Sequence, residues 1–216
     1  MHGVEKALPR VKRTVRHYAA LPFVEVPGFL EKLREVHSKP ALALELLILT
    51  ACRTSEVLQA RGSEFDIDAR TWEIPAERMK TNRPHKVPLA ARTLEIIAEA
   101  RGDGVANDFA FVFQGRRAGK PLSDMSMAML VRRMGVDATV HGFRSSFRDW
   151  VAEKTRARRE VAELCLAHAV GGAVEKAYMR SDLFERRRRL MEQWSLFCTS
   201  ASDDKVVKLP MRPQPR

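Results

Sequence analysis

The sequence predicts a mainly α fold with a small antiparallel β-sheet, an α+β domain. Three observations predict it. Apolar residues recur at helical spacing through most of the chain, as in Phe29, Leu30, Leu33 and Val36. One stretch, 64–89, changes character: Phe65-Asp66-Ile67, Thr71-Trp72-Glu73-Ile74 and His85-Lys86-Val87 alternate and carry β-formers, with Asp68–Arg70 and Lys80–Arg83 as turns between them. The chain has 216 residues, 45% of them hydrophobic, which is enough for one sizeable core.

Composition narrows the function classes. There are 38 Lys+Arg against 27 Asp+Glu, a formal net charge of +11. Such an excess favours a polyanionic partner, most often nucleic acid. Cys52, Cys165 and Cys198 are odd in number, far apart and without a CxxC pair. This argues against a disulfide framework and a zinc site and suits a reducing, cytoplasmic compartment. The N-terminal MHGVEKALPRVKR lacks the apolar centre of a secretory signal. The most apolar run, Ala41–Cys52, is too short to span a bilayer and contains Glu45, so it reads as a buried helix.

The elements follow in order. Residues 1–22 are basic, are broken by Pro9 and Pro22, and read as a linker. Pro27 stands early in a first helix that Ser38-Lys39-Pro40 ends, and Pro40 opens the next, Ala41–Ala51. Thr54 or Ser55 can cap a short helix with Arg53 at its N-terminal edge, and Arg61-Gly62 ends it. The sheet comes next, with Lys80 at or near its second turn. Ala90–Ala100 reads as a helix, Phe111–Phe113 as a short strand or extended piece, and Ser123–Met134 as a helix opened by Ser123-Asp124. Three short helices are expected at about 142–156, 159–167 and 172–180. A final helix, Leu183–Cys198, contains the run Arg186–Arg189. The remaining tail is polar and proline-rich and reads as flexible.

Chemistry concentrates in Val140–Arg180. His141 and Arg144 are three apart and share a helical face. A core has no use for an imidazole beside a guanidinium, whereas a phosphate accepts from the arginine fork and from a protonated histidine. Tyr178 adds a hydroxyl near the end of the same segment. The stretch reads as an anion pocket with a nucleophile at its rim. Each residue has a plainer reading when taken singly. Arg53 could merely pair with Glu56, Lys80 could be a solvated turn residue, His85 and His168 could be structural, and Tyr178 could simply pack its ring. Only the joint pattern carries the chemistry.

Four motifs in order, TACRTSEVLQAR (50–61), MKTNRPHKVPL (79–89), HGFRSSF (141–147) and LAHAVGGAVEKAYMR (166–180), resemble the catalytic boxes of the tyrosine recombinases, the phage integrase family. The flanking phrases are most similar to integrases of prophages and genomic islands. The resemblance implies a tyrosine-recombinase catalytic domain at 23–198, between a basic interdomain linker at 1–22 and a flexible tail at 199–216. It implies an isolated catalytic domain, lacking the DNA-binding domains that this branch carries upstream. Cys52 stands where the family often has glycine.

The resemblance also implies the site. Arg53, Lys80, His141, Arg144, His168 and Tyr178 form the catalytic set, with Glu56 as supporting acid and Arg83, Arg186 and Arg187 as DNA contacts. Tyr178 would attack a scissile phosphodiester, giving a 3′-phosphotyrosine and a free 5′-hydroxyl. The covalent intermediate conserves bond energy, so no ATP, metal or other cofactor is expected. The expected partners are double-stranded DNA at attachment sites and further copies of the chain in a tetramer, with segment 184–216 docking on a neighbour. Two rival readings stand beside it: a non-catalytic DNA-binding accessory protein that keeps the fold, and a type IB topoisomerase-like relaxing enzyme that shares the chemistry but not the outcome.

Overall fold

The structure, a computed structural model, describes residues 19–102, 108–169 and 182–200. The expected helix at 172–180, and Tyr178 with it, lies outside these residues. The helices described are α1 (Val26–Arg34), α2 (Lys39–Thr50), α3 (Thr54–Leu58), α4 (Ala91–Arg101), α5 (Met125–Arg133), α6 (Gly142–Lys154), α7 (Arg159–Cys165) and α8 (Phe184–Thr199). Strands β1 (Phe65–Asp66), β2 (Thr71–Ile74) and β3 (His85–Pro88) form an antiparallel sheet in the order β1-β2-β3. Trp72 pairs with Phe65 on one side and Val87 on the other, which turns its indole into the core. The fold class read from the sequence therefore holds.

Helix α2 is the centre of the packing. It is apolar on every face, and Ala43, Leu44, Leu46, Leu47, Ile48 and Leu49 are all buried. A helix of that kind must be covered on all sides, and α1, α4, α5, α6 and α8 pack around it. Ser38 caps its start by accepting from the Ala41 N–H. The one acid in the run, Glu45, is buried and is matched by Arg34 at 2.7 Å and Arg92 at 3.0 Å. Helix α8 closes over this core. Trp194 is fully buried among Phe147, Trp150 and Phe197, and its Nε1–H donates to the Ile48 carbonyl at 2.8 Å.

Several expectations change at this level. Phe184–Thr199 buries Leu190, Met191, Trp194 and Cys198 in its own core, so this part of 184–216 is not a free arm for a neighbour. Arg187, expected on DNA, is only 2% exposed. It donates to the Lys86 carbonyl at 2.7 Å and to the Asp182 backbone and carboxylate at 2.9 and 2.6 Å. Part of the expected linker is folded: Ala19 accepts from the Thr139 N–H, and Ser146 Oγ donates to the Leu21 carbonyl. That crossing strand explains Gly142, where a Cβ would collide with the Ala19 carbonyl. Neither Thr54 nor Ser55 caps α3; the N-cap is Arg53, whose N–H donates to the Glu56 carboxylate at 2.7 Å. The extended piece at 111–113 forms a single bridge from Phe111 to Arg61.

Candidate active site

Two helix ends build the site. Helix α2 stops at Ala51, which is left-handed at φ +53. Helix α7 stops at Ala167, left-handed at φ +50. In the second, Ala167 N–H donates to Leu164 O at 3.2 Å and His168 N–H donates back to Glu163 O at 2.9 Å. This is the paired 6→1 and 5→2 bonding of a Schellman motif. The glycine-favouring conformation near the first arginine thus falls on Ala51 and not on Cys52. Both ends leave backbone carbonyls pointing outward, each carrying the partial negative charge of a helix C-terminus.

Those carbonyls hold two arginines. Arg144, only 4% exposed on the first turn of α6, donates through Nη1 to the Ala51 carbonyl and through Nη2 to the Leu166 carbonyl at 2.8 Å. Arg53 donates through Nη2 to the next carbonyl, Ala167 O, at 3.4 Å, and through Nη1 to Glu56 at 2.7 Å. Glu56 is buried and satisfies both the side chain and the N–H of Arg53. Burial, followed by the Arg53 charge, pushes the pKa of Arg144 down from the ordinary arginine value. Two guanidiniums held side by side repel each other, and an anion between them relieves that repulsion.

The histidines divide. His141 sits at the N-cap of α6. Burial, then Arg144, Arg53 and His168, lower its pKa from 6.5, a direction that favours the uncharged imidazole with one N–H and one lone pair. His168 places Nε2 3.2 Å from Arg144 Nη2 and Nδ1 2.7 Å from the Glu163 carboxylate. Arginine has no acceptor, so Nε2 accepts here. Lys80 is exposed on the long β2–β3 loop, and among the described residues no hydrogen bond or ion pair ties it to the cluster. Arg83 is exposed on the same loop. Arg186 is exposed on α8 and lines a cleft of about 570 Å³ with Lys154, Arg156, Arg158 and Arg189.

Sequence reasoning singled out neither Glu163 nor the three carbonyls, and it left His85 as structural. His85 lies at the start of β3. Burial, with Arg187 as the next cause, pushes its imidazole down to about 4. Among the described residues, no three His, Cys, Asp or Glu side chains gather as metal ligands, and no helix is long and apolar enough to cross a membrane.

The model of the phage integrase family matches residues 21–183, and the chain belongs to that family. It is 34% identical over 183 residues to prophage integrase IntZ of Escherichia coli (strain K12), covering 83% of this chain and 44% of that protein. It is 31% identical over 213 residues to the integrase of Enterobacteria phage P4, covering 90% and 48%. The chain thus spans about half the length of these curated relatives. Among solved structures, the integrase from mycobacterium phage Brujita superposes with a TM-score of 0.61 at 19% identity, covering 86% of this chain and 60% of that one. XerH site-specific recombinase bound to difH substrate superposes at 0.55 with 20% identity, covering 75% and 53%. These structural likenesses concern the fold.

Proposed function

We propose that this chain is the strand-cleaving domain of a site-specific DNA recombinase that integrates and excises a mobile element. The observation that carries the reading is the arginine pair. Arg53 and Arg144 are fixed by consecutive carbonyls of one helix end, with His141 beside them. A phosphodiester has two non-bridging oxygens that gain charge during attack, and two preset guanidiniums answer them. Losing one preorganised donor of this kind costs about 3–4 kcal/mol, roughly 10²–10³ in rate. Glu56 keeps Arg53 in place and compensates its charge.

In this reading Tyr178 Oη attacks phosphorus, the P–O5′ bond breaks, and the enzyme holds the 3′ end as a phosphotyrosine. Neutral His141 takes the phenol proton, and Lys80 returns a proton to the leaving 5′-oxygen. A 5′-hydroxyl from a second strand reverses the step, so no ATP is consumed. The duplex is held by the basic surface, for which Arg83 and Arg186 are the candidate contacts. Assembly as a tetramer on two sites belongs to the same proposal.

Covalent trapping tests it. Nicked duplexes spanning candidate attachment sites are mixed with the wild type and with Tyr178→Phe in EDTA. The expected result is an SDS-stable protein–DNA adduct with the wild type alone. Failure to form one, both in this chain and in a longer protein with upstream DNA-binding domains, would favour the non-catalytic accessory reading.

A further inference from the structure

The Schellman motif that ends α7 brings its C″ residue back over its C3 residue, and two apolar side chains usually meet there. Here the two residues are His168 and Glu163, and an imidazole–carboxylate hydrogen bond of 2.7 Å fills the slot. The Glu163 side chain is only 13% exposed. Its second oxygen faces Arg148 of α6 at 2.7 Å, with Arg159 further off at 3.8 Å. On the side away from the histidine the carboxylate is thus ion-paired, although Oε1 makes no hydrogen bond among the described residues.

Hydrogen-bond direction then runs one way through the site. Arg144 Nη2 can only donate, so His168 Nε2, 3.2 Å away, must present its lone pair. A neutral imidazole has one N–H, which must sit on Nδ1, where the Glu163 carboxylate accepts it. Were the proton on Nε2, two donors would face each other across the Arg144 contact. The carboxylate selects the tautomer, and the tautomer completes the hold on the arginine.

We infer that Glu163 is a positioning residue of the arginine pocket: it fixes the ring and tautomer of His168 and, through them, the Nη2 edge of Arg144. This rests on the strand-cleavage reading above and gives His168 a role there through Arg144. The His168 side chain is 41% exposed, so part of the ring stays open to solvent. Arg144 keeps its bonds to Ala51 and Leu166 without Glu163, so the pocket loosens and does not collapse. Misplacing a group in this way costs on the order of 10–100-fold in rate.

The test uses three variants and two readouts. Glu163→Gln keeps an oxygen that accepts from Nδ1–H, Glu163→Leu removes it, and Arg148→Met removes the ion pair while leaving the carboxylate at the histidine. Long-range ¹H–¹⁵N correlation of the imidazoles at pH 8, assigned with His168→Gln, reads the tautomer directly. Adduct formation on the trapping duplex reads the rate. We expect the Nδ1–H tautomer in the wild type, in Glu163→Gln and in Arg148→Met. All three should react within a few-fold of one another, whereas Glu163→Leu should lose that tautomer and react about 10–100-fold more slowly. An Nε2–H tautomer in the wild type would overturn the inference. So would a folded Glu163→Leu, by its urea midpoint, that reacts like the wild type, or an Arg148→Met that loses as much rate as Glu163→Leu. If Glu163→Leu does not fold, the tautomer in the wild type and Glu163→Gln decides. If the wild type forms no adduct, either in this chain or in a longer protein with upstream DNA-binding domains, the strand-cleavage reading fails, and the tautomer still tests the Glu163–His168 link by itself.

Discussion

Substituting Ala167 by glycine should stabilise this protein, although Ala→Gly usually does the reverse. Ala167 sits at φ +50, closing the Schellman motif at the end of α7. An L-residue pays roughly 1–2 kcal/mol to adopt that left-handed conformation. Glycine adopts it freely but loses about 0.5–1 kcal/mol more backbone entropy on folding. The Ala167 methyl is partly buried against the core, so its loss offsets a few tenths of a kcal/mol more. The balance is a gain of about 0.5 kcal/mol, or roughly 1–2 °C in Tm for a chain of this size. Ala162, in the body of α7 and 4% exposed, is the control. There glycine loses about 1 kcal/mol of helix propensity and about 0.8 kcal/mol of methyl burial. Urea unfolding at constant m resolves this difference of over 2 kcal/mol as a shift in midpoint. The Leu166 and Ala167 carbonyls that hold Arg144 and Arg53 remain in Ala167→Gly, so the trapping rate should stay within about two-fold of the wild type. A midpoint that falls as far as that of Ala162→Gly would refute the left-handed helix end, and with it the account of how the arginines are held.

Acid stability should depend on His85. Its folded pKa of about 4 lies below the ordinary 6.5, so its contribution is present above pH 6.5 and is lost as pH falls from there towards 4. The loss is on the order of 3 kcal/mol, and urea midpoints of His85→Gln across that range should be correspondingly flatter. Neighbouring arginines of α8 should part company. Arg187→Ala removes a buried, fully bonded guanidinium and should cost roughly 3 kcal/mol of stability. Arg186→Ala should leave stability unchanged and lower the slope of log K against log salt for duplex binding by about 0.9. Cys52 and Cys165 are buried, which pushes their thiols up to about 12, so iodoacetamide should modify them only in denaturant.

How far the sequence could be read depended on whether a feature rests on pattern or on backbone conformation. Alternation at 64–89 and the all-apolar run of α2 report directly on burial, and both elements stand where they were expected. The residues Arg53, Glu56, Arg144 and His168 come together because each stands at or next to a helix end. The carbonyls that hold the arginines could not be seen in the same way. A glycine marks a left-handed helix end, but here both ends are alanines, at Ala51 and Ala167. With no such mark, nothing suggested that His168 turns back onto Glu163. The misreading of Arg187 has a different origin, because its signal was present. Residues 187, 190, 191, 194 and 198 are all buried and share one face of α8 at helical spacing. Arg187 is therefore in phase with Leu190, Met191, Trp194 and Cys198. A run of four arginines looks uniform as a charge pattern, but the apolar residues that follow it already fix which of the four must point inward. The inward one survives burial because β3 and Asp182 supply acceptors for its guanidinium. The phase of the helix, continued back through the charges, separates the buried Arg187 from the exposed Arg186 and Arg189.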